Sequence, residues 1–567
     1  MFGGEDKLDV RKICFKLLLT LLTTLFIACG RTAHFVVPES LPDDRVPVKE
    51  MAERDINILG DGFDKQFTEQ LEQMLDLSRA YRRISNNRKE ALNVNALDNV
   101  ENSSWFENRI HLGGWTEEMI KRGPDKGHVP DPGSTWTIFR AKAEGVTPGF
   151  SIIDEQGQRY VMKFDPIGYS GLSTGAEVVG TKLFYAAGFH VPENYIVYFD
   201  PKILKLGDDV KITDEKGRKR LMNQDDFAAL LGRIERQPDG TMRAVASKYI
   251  PGKPKGPFRY QGTRKDDFND IVPHQHRREL RGLKYIAAWL NHYDTKANNS
   301  YTSYLDEGYL RHWLIDFGST LGSQGDEPMP AYIGHENTID PHAMVGRLLT
   351  LGLWVKPWEK EWNVPFKSIG HFESKDFDPQ SYDPIIPNPA FENATMRDAF
   401  WAARIIMSFS DSLLRAAVET GNYPEPGANE YLTKRLIERR DIVGRYVFSR
   451  INPLDGFALI QNKKGDLELK FRDLAVDSGL EQRKKSGYRY ELLSKNGKIL
   501  DSHMVGRSLN INLSSTYFKK ISGDDNLQVR LQTKRTDNLN WSKPVAVYLH
   551  RNEKNGQIEI LGLRRFY

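Results

Sequence analysis

The chain has 567 residues, 39% of them hydrophobic and 28% charged, an ordinary composition for folded domains with a large core. Its formal charge of +4 is small for that length and gives no case for nucleic acid as a partner. Only Cys14 and Cys29 occur, both in the N-terminal segment, so the folded part has no disulfide and no cysteine-held zinc site.

Lys7, Arg11, Lys12 and Lys16 precede the apolar run Leu17 to Ala28, which is short for a bilayer span. Phe26-Ile27-Ala28-Cys29-Gly30 then resembles a bacterial lipobox, with Phe26 where leucine is usual. That resemblance implies an exported lipoprotein of a bacterial cell envelope, its signal at 1–29 and its membrane anchor a lipidated Cys29. An uncleaved signal anchor is the alternative. Residues 30–130 read as a tether and N-terminal extension. Arg31 to Gly60 is polar and punctuated by proline, and Phe67, Leu71, Met74 and Leu75 predict an amphipathic helix over Phe63 to Ile84. Trp105-Phe106 beside Asn108 and Arg109 is expected to pack against the main domain, and Gly123 to Gly133 marks a boundary.

A sheet is predicted to begin near Trp136. Strands over Thr135 to Ala141 and Phe150 to Asp154 are joined by a turn in which Gly145 and Gly149 could bring backbone N–H groups to a phosphate. An ordinary hairpin loop fits that turn equally well. The next strand ends in Tyr160-Val161-Met162-Lys163. Thr174-Gly175-Ala176-Glu177 opens a helix closed by Gly188, and Thr174 with Glu177 also fits a capping box. Another strand, Tyr195 to Phe199, is followed by a charged insertion with a helix near Asp225 to Arg236. Ala244 to Ile250 is β-prone and is broken at Pro251-Gly252-Lys253-Pro254. Arg277 to Leu290 predicts a helix with Leu280, Leu283, Ala287 and Leu290 on one face. His274 and His276, near His292, raise zinc as an alternative chemistry.

That helix leads into Asn291-His292-Tyr293-Asp294-Thr295-Lys296-Ala297-Asn298-Asn299, then a predicted hairpin turning at Asp306-Glu307-Gly308, then Asp316-Phe317-Gly318. The first stretch fits His-x-Asp-x-Lys-x-x-Asn. With Asp-Phe-Gly at this separation it resembles the catalytic and metal loops of protein kinases. Phosphoryl transfer needs a carboxylate near the acceptor hydroxyl, a second on the metal, and an amide oxygen in the metal shell. The resemblance implies those roles for Asp294, Asp316 and Asn299, with Lys296 steadying the transferred group. It also implies that Lys163 orients nucleotide phosphates, that Glu177 pairs with it, and that the break at Pro251 to Pro254 is the hinge between two lobes.

After Gly322, helices are predicted near His342 to Leu351, Thr395 to Glu419 and Ala428 to Ser449, and no Ala-Pro-Glu motif is present. From Leu454 the pattern turns to strands, with hairpin signals at Lys495-Asn496-Gly497-Lys498 and Lys554-Asn555-Gly556-Gln557. Together the motifs resemble atypical kinases of the HipA, spore-coat CotH and phosphoinositide-kinase-like groups. They look closer still to uncharacterised bacterial exported proteins, over Leu97 to Pro453. The expected fold is α+β: a two-lobed protein-kinase-like fold with an N-terminal extension and a C-terminal all-β sandwich-like module. The lobes would span 131–255 and 256–453, and the module 454–567. The expected activity is an atypical, ATP-dependent phosphotransferase using Mg or Mn, its acceptor unread. The alternative is a kinase-fold lipoprotein without turnover, acting as a binding or envelope-organising module.

Overall fold

The computed structural model describes residues 35–54, 89–142, 148–213, 218–336, 358, 362–461, 466–518, 525–537 and 540–567. The lipobox, the helix expected over Phe63 to Ile84, Gly145 and the helix expected near His342 lie outside them. No helix among the described residues is long and apolar enough to cross a membrane.

The fold is mixed α+β, with a large sheet, a helical region and a C-terminal module of antiparallel sheets. A short helix α1 (Glu117–Arg122) precedes the first sheet. Its strands are β1 (Trp136–Lys142), β2 (Gly149–Ile153), β3 (Arg159–Lys163), β4 (Asn194–Phe199), β5 (Leu204–Leu206) and β8 (Met242–Lys248), in the order β4-β8-β3-β2-β1-β5. Alternation sets the faces: Tyr160 and Met162 enter the sheet's core, so Lys163 falls on the opposite side. Between β3 and β4 runs α2 (Leu172–Ala187), and a small insertion holds β6 (Lys211–Thr213), β7 (Lys219–Leu221) and α3 (Gln224–Gly232).

Helix α2 does not use Thr174 and Glu177 as a capping box. It begins at Leu172 after Gly171, and its free N–H groups are satisfied from outside by Asp165. That carboxylate accepts from the backbone of Gly171, Ser173 and Thr174 at 2.8–2.9 Å and from the Thr174 hydroxyl at 2.7 Å. Glu177 is thereby released for another partner. The helix stops at Gly188, whose φ of +119° and lack of a side chain let the Phe106 ring lie against it.

The second region contains β9 (Lys253–Pro254), α4 (Arg278–Leu290), β10 (Ser300–Tyr304), β11 (Leu310–Leu314), α5 (Met396–Ile406), α6 (Asp411–Glu419) and α7 (Ala428–Phe448). The single helix expected from Thr395 to Glu419 is two, because Ser410 caps a new start by accepting from the Leu413 N–H at 3.2 Å. Helix α4 packs on α5 and α7 around Trp289, Trp401 and Phe409. The same core takes Val179, Leu183 and Phe184 from α2, so a helix that connects two strands of the sheet is buried with the helices. Each such side chain contributes roughly 1.5–3 kcal/mol of burial.

The last module pairs a sheet of β12 (Leu454–Gln461), β13 (Leu467–Asp473) and β16 (Asn510–Leu513) with one of β14 (Ser486–Leu493), β15 (Ile499–Gly506), β17 (Asn526–Arg535), β18 (Val545–Arg551) and β19 (Ile558–Arg565). Leu469, Phe471, Tyr488, Val529 and Val547 meet between them. Positive φ at Gly497 and Gly556 makes the two predicted hairpin turns.

Residues 35–54, read from sequence as a tether, lie against the body of the protein. Phe35 stacks on Tyr548, Asp44 accepts from the Ser104 backbone and hydroxyl at 2.8 Å, and Glu50 bridges Lys253 and Lys255. Trp105 stacks flat on His312 at 3.5 Å and Arg109 donates to the Tyr185 and Phe189 carbonyls, so the Trp-Phe motif packs as expected.

One buried carboxylate joins these parts. Asp98 contacts Arg278 of α4 at 2.6 Å, Arg397 of α5 at 2.7 Å and Arg565 of β19 at 3.7 Å. Burial pushes its carboxyl up, but the three arginines outweigh that and hold it at about 2. Because the folded value lies below the unfolded one, the stabilisation is complete above about pH 4 and is lost as pH falls toward 2, on the order of 2 kcal/mol. Asp98→Asn should therefore flatten the acid limb of stability and also cost about 3–5 kcal/mol at neutral pH, because the arginines lose their counter-charge. Thermal midpoints of both proteins across this range decide it. Coincident curves would show that the network contributes nothing.

Candidate active site

Lys163 ends β3 with its side chain 30% exposed, while Glu177 on the second turn of α2 is 1% exposed. The ammonium lies 3.0 Å from Glu177 Oε2 and 2.9 Å from Asp316 Oδ1. Burial works to lower the lysine's pKa, but Asp316 and Glu177 overcome it and hold the group protonated far above the usual range. The Glu177 carboxyl is pushed up by burial, with Lys163 opposing.

Glu177 has two further partners. Asn194 on β4 donates to its Oε1 at 3.1 Å, and the Gly318 backbone N–H donates to Oε2 at 2.7 Å. Phe317 is fully buried, stacked on Phe184 of α2 at 4.8 Å. Gly180 makes this approach possible, since a methyl group there would strike the Phe317 side chain. Asp316 itself has φ +66°, a conformation that aspartate tolerates better than most residues. It is held in this form by the bonds on either side: Ile315 N–H to the Asn299 carbonyl at 3.1 Å, and Gly318 N–H to Glu177.

The second group follows the C-terminus of α4, where Asn291 turns the chain at φ +51°. The His292 ring is buried and burial pushes its pKa down; its Nδ1 lies 3.4 Å from the Ser319 carbonyl. The Tyr382 hydroxyl donates to the His292 carbonyl at 2.6 Å, and Thr320 donates to the Leu290 carbonyl at 2.9 Å. The loop at 292–299 and the loop at 316–320 are thus bonded to each other. Within the first, Asp294 Oδ2 accepts from Asn299 Nδ2 at 2.9 Å and from Lys296 at 3.0 Å. Its Oδ1 has an ion-pair contact with Lys296 at 2.9 Å but no hydrogen bond of acceptable geometry, although it is buried.

The structure brings Lys163, Glu177 and Asp316 together, and brings Asp294, Lys296 and Asn299 together. The β10–β11 hairpin joins the two groups, with Ser300 paired to Leu314. Gly149 stands opposite Lys163 in the β2–β3 register, so backbone without a side chain neighbours the lysine. A divalent cation fits the donors present. Asp316 is half exposed, and the bonds of Asn299 Nδ2 leave its carbonyl oxygen over, both hard oxygen ligands. His274 fits a metal poorly: its Nε2 lies 2.7 Å from Asp270 Oδ2 and its Nδ1 against the Arg259 carbonyl.

Three supporting residues carry no motif. Asn194 fixes the second oxygen of Glu177. Asp165 caps α2 and lies 3.5 Å from the buried Arg243 on β8. Arg243 donates to Thr174 at 2.9 Å and to the Gly421 and Asn422 carbonyls at 2.6 and 2.7 Å, tying the sheet and α2 to the α6–α7 turn. The one signal in sequence was an acidic residue two positions after Lys163. A cavity of about 280 Å³ near Asn291, Gly334, His371, Tyr382 and Arg439 is lined by none of the motif side chains.

No family model matches the chain, and no curated protein matches it. Among solved structures, it is similar to the Golgi casein kinase at 10% identity and a TM-score of 0.25, over 72% of this chain and 96% of that one. The Golgi casein kinase with Mn/ADP bound matches at 9% identity and a TM-score of 0.26, over 72% and 95%. At these scores the functional reading rests on the side chains alone.

Lys163 should resist acetylation even at about pH 9, because its two carboxylates keep it protonated. Glu177→Gln should increase its labelling several-fold without exposing it, read by mass spectrometry against the other lysines. Equal labelling in both proteins would remove Glu177 as the group that sets its charge.

Proposed function

We propose that this chain is an ATP- and metal-dependent phosphotransferase of the atypical kinase type, carried as an exported lipoprotein on Cys29. The observation that supports it most is the Lys163 ammonium held between a buried carboxylate on a neighbouring helix and the half-exposed carboxylate of Asp-Phe-Gly. A purely structural ion pair would need one acid. Here two carboxylates face one cation, a surplus of negative charge that a divalent metal ion would offset.

Each residue then has a task. Lys163, oriented by Glu177, binds nucleotide phosphate oxygens. Asp316 and the Asn299 carbonyl oxygen hold the metal, which neutralises developing charge on the transferred group. Asp294 accepts the proton of the acceptor hydroxyl, its carboxylate oriented by Asn299 and Lys296. Phe317 and His292, buried behind them, keep the two loops in register. The competing reading is a binding module without turnover. It draws on the export signal, since no standing ATP pool is expected outside the inner membrane.

Two variants separate these readings. Nucleotide with Mg or Mn should raise the thermal midpoint of the wild type by mass action on the folded state, and Asp316→Ala should abolish the rise. Asp294→Asn should keep that rise while turnover falls by roughly two to four orders of magnitude. Binding without any turnover in the wild type would favour the binding module. A wild type that shows no shift with either metal would overturn nucleotide use altogether.

A further inference from the structure

Phe35, the first described residue, is seated on the outer face of the C-terminal module. Its ring stacks on Tyr548 of β18 at 4.5 Å, and any side chain at Gly562 on β19 would run into it. Beside it the Leu563 N–H donates to the Ala96 carbonyl at 2.8 Å, bringing residues near 96 to the same edge. The apolar side chains around this point face outward: Val36 is 77%, Val37 49% and Leu97 45% exposed. Arg564, in the same outward row as Gly562, is exposed as well. Arg530 in the neighbouring strand stands opposite Glu491, so the apolar residues, more than net charge, characterise this face.

Phe35 lies six positions after Cys29. A chain of that length spans at most about 20 Å when fully extended. Resting on the lipid-anchored reading above, we propose that the surface formed by Val36, Val37 and Leu97 lies on the phospholipid bilayer that holds the acylated Cys29. The short link keeps the bilayer within reach of these side chains, and their partition into its interface supplies binding beyond the acyl chains. The remainder of the N-terminal strap holds the body in this orientation. Asp44 is bonded to Ser104 and Glu50 to Lys253 and Lys255, so the body cannot swing away on a flexible leash.

The test uses the full-length lipidated protein in phospholipid vesicles containing nitroxide-headgroup lipid. With Cys29 acylated, one introduced cysteine carries the fluorophore. Labels at Val36→Cys and Leu97→Cys should be quenched several-fold more than one at Lys202→Cys, an exposed position on the turn after β4. Adding Phe35→Ala should shrink that contrast by loosening the hold on Tyr548. Equal quenching at all three positions, with acylated Cys29 confirmed by mass, would overturn the orientation and leave the anchor standing. An unacylated Cys29 in the mature chain would overturn both.

Discussion

A carboxylate as buried as Glu177 has to be paired, since leaving it alone out of water costs about 3–5 kcal/mol. Its partners come from three places: Lys163 at the end of β3, Asn194 at the start of β4, and the backbone of Gly318. Satisfying the one group therefore fixes the lysine strand, the helix and the Asp-Phe-Gly loop relative to each other. Phe317 adds an apolar lock beneath, and Gly180 is the position that lets the loop come so near the helix. The placement of Asp316 is a consequence of these contacts, and its left-handed backbone is stabilised by its neighbours' hydrogen bonds.

The position of α2 is in turn set from both sides. Its N-terminus is bound by Asp165, its first turn is reached by Arg243, and its apolar face is buried among the helices of the second region. Arg243 also ends on the carbonyls of Gly421 and Asn422, in the second region. Moving the helix outward would break these bonds, expose Val179, Leu183 and Phe184, and leave Glu177 unpaired. The pairing of Lys163 with Glu177 is consequently part of the folded state's stability. Nothing in this network needs a bound group to bring the two residues together.

Much of the local site was legible because it is written in short, continuous stretches. The loop at 292–299 and the Asp316-Phe317-Gly318 turn are contiguous, and the hairpin between them announces itself by alternation and by Gly308. The pairing of Lys163 with Glu177 was only half legible, because Thr174 and Glu177 form an equally good local cap. Asp165 settled that competition, and it did so through space. Arg243 and Asn194 were invisible for the same reason: their partners lie far off in sequence and they resemble any buried polar side chain. The break between α5 and α6 was missed because the apolar spacing continues across Ser408 to Ser410, where a serine cap outweighs the periodicity.

The N-terminal strap shows how composition misleads about order. A polar, proline-punctuated stretch has few apolar groups to bury and reads as linker. Here its order comes from a handful of specific contacts spaced along it: an aromatic stack at Phe35, a carboxylate at Asp44, a backbone bond from Val48 to Gly308, and a bridging carboxylate at Glu50. Each is modest, the exposed ion pairs contributing at most about 1 kcal/mol apiece. Their effect adds because the chain between them is short, so forming one contact raises the local concentration for the next. The strap touches the C-terminal module, the extension and the segment entering the second region in that order. It joins the C-terminal module, which has its own core, to an extension and second region that share another, and any force on its N-terminal end is delivered first to the sheet of β18 and β19.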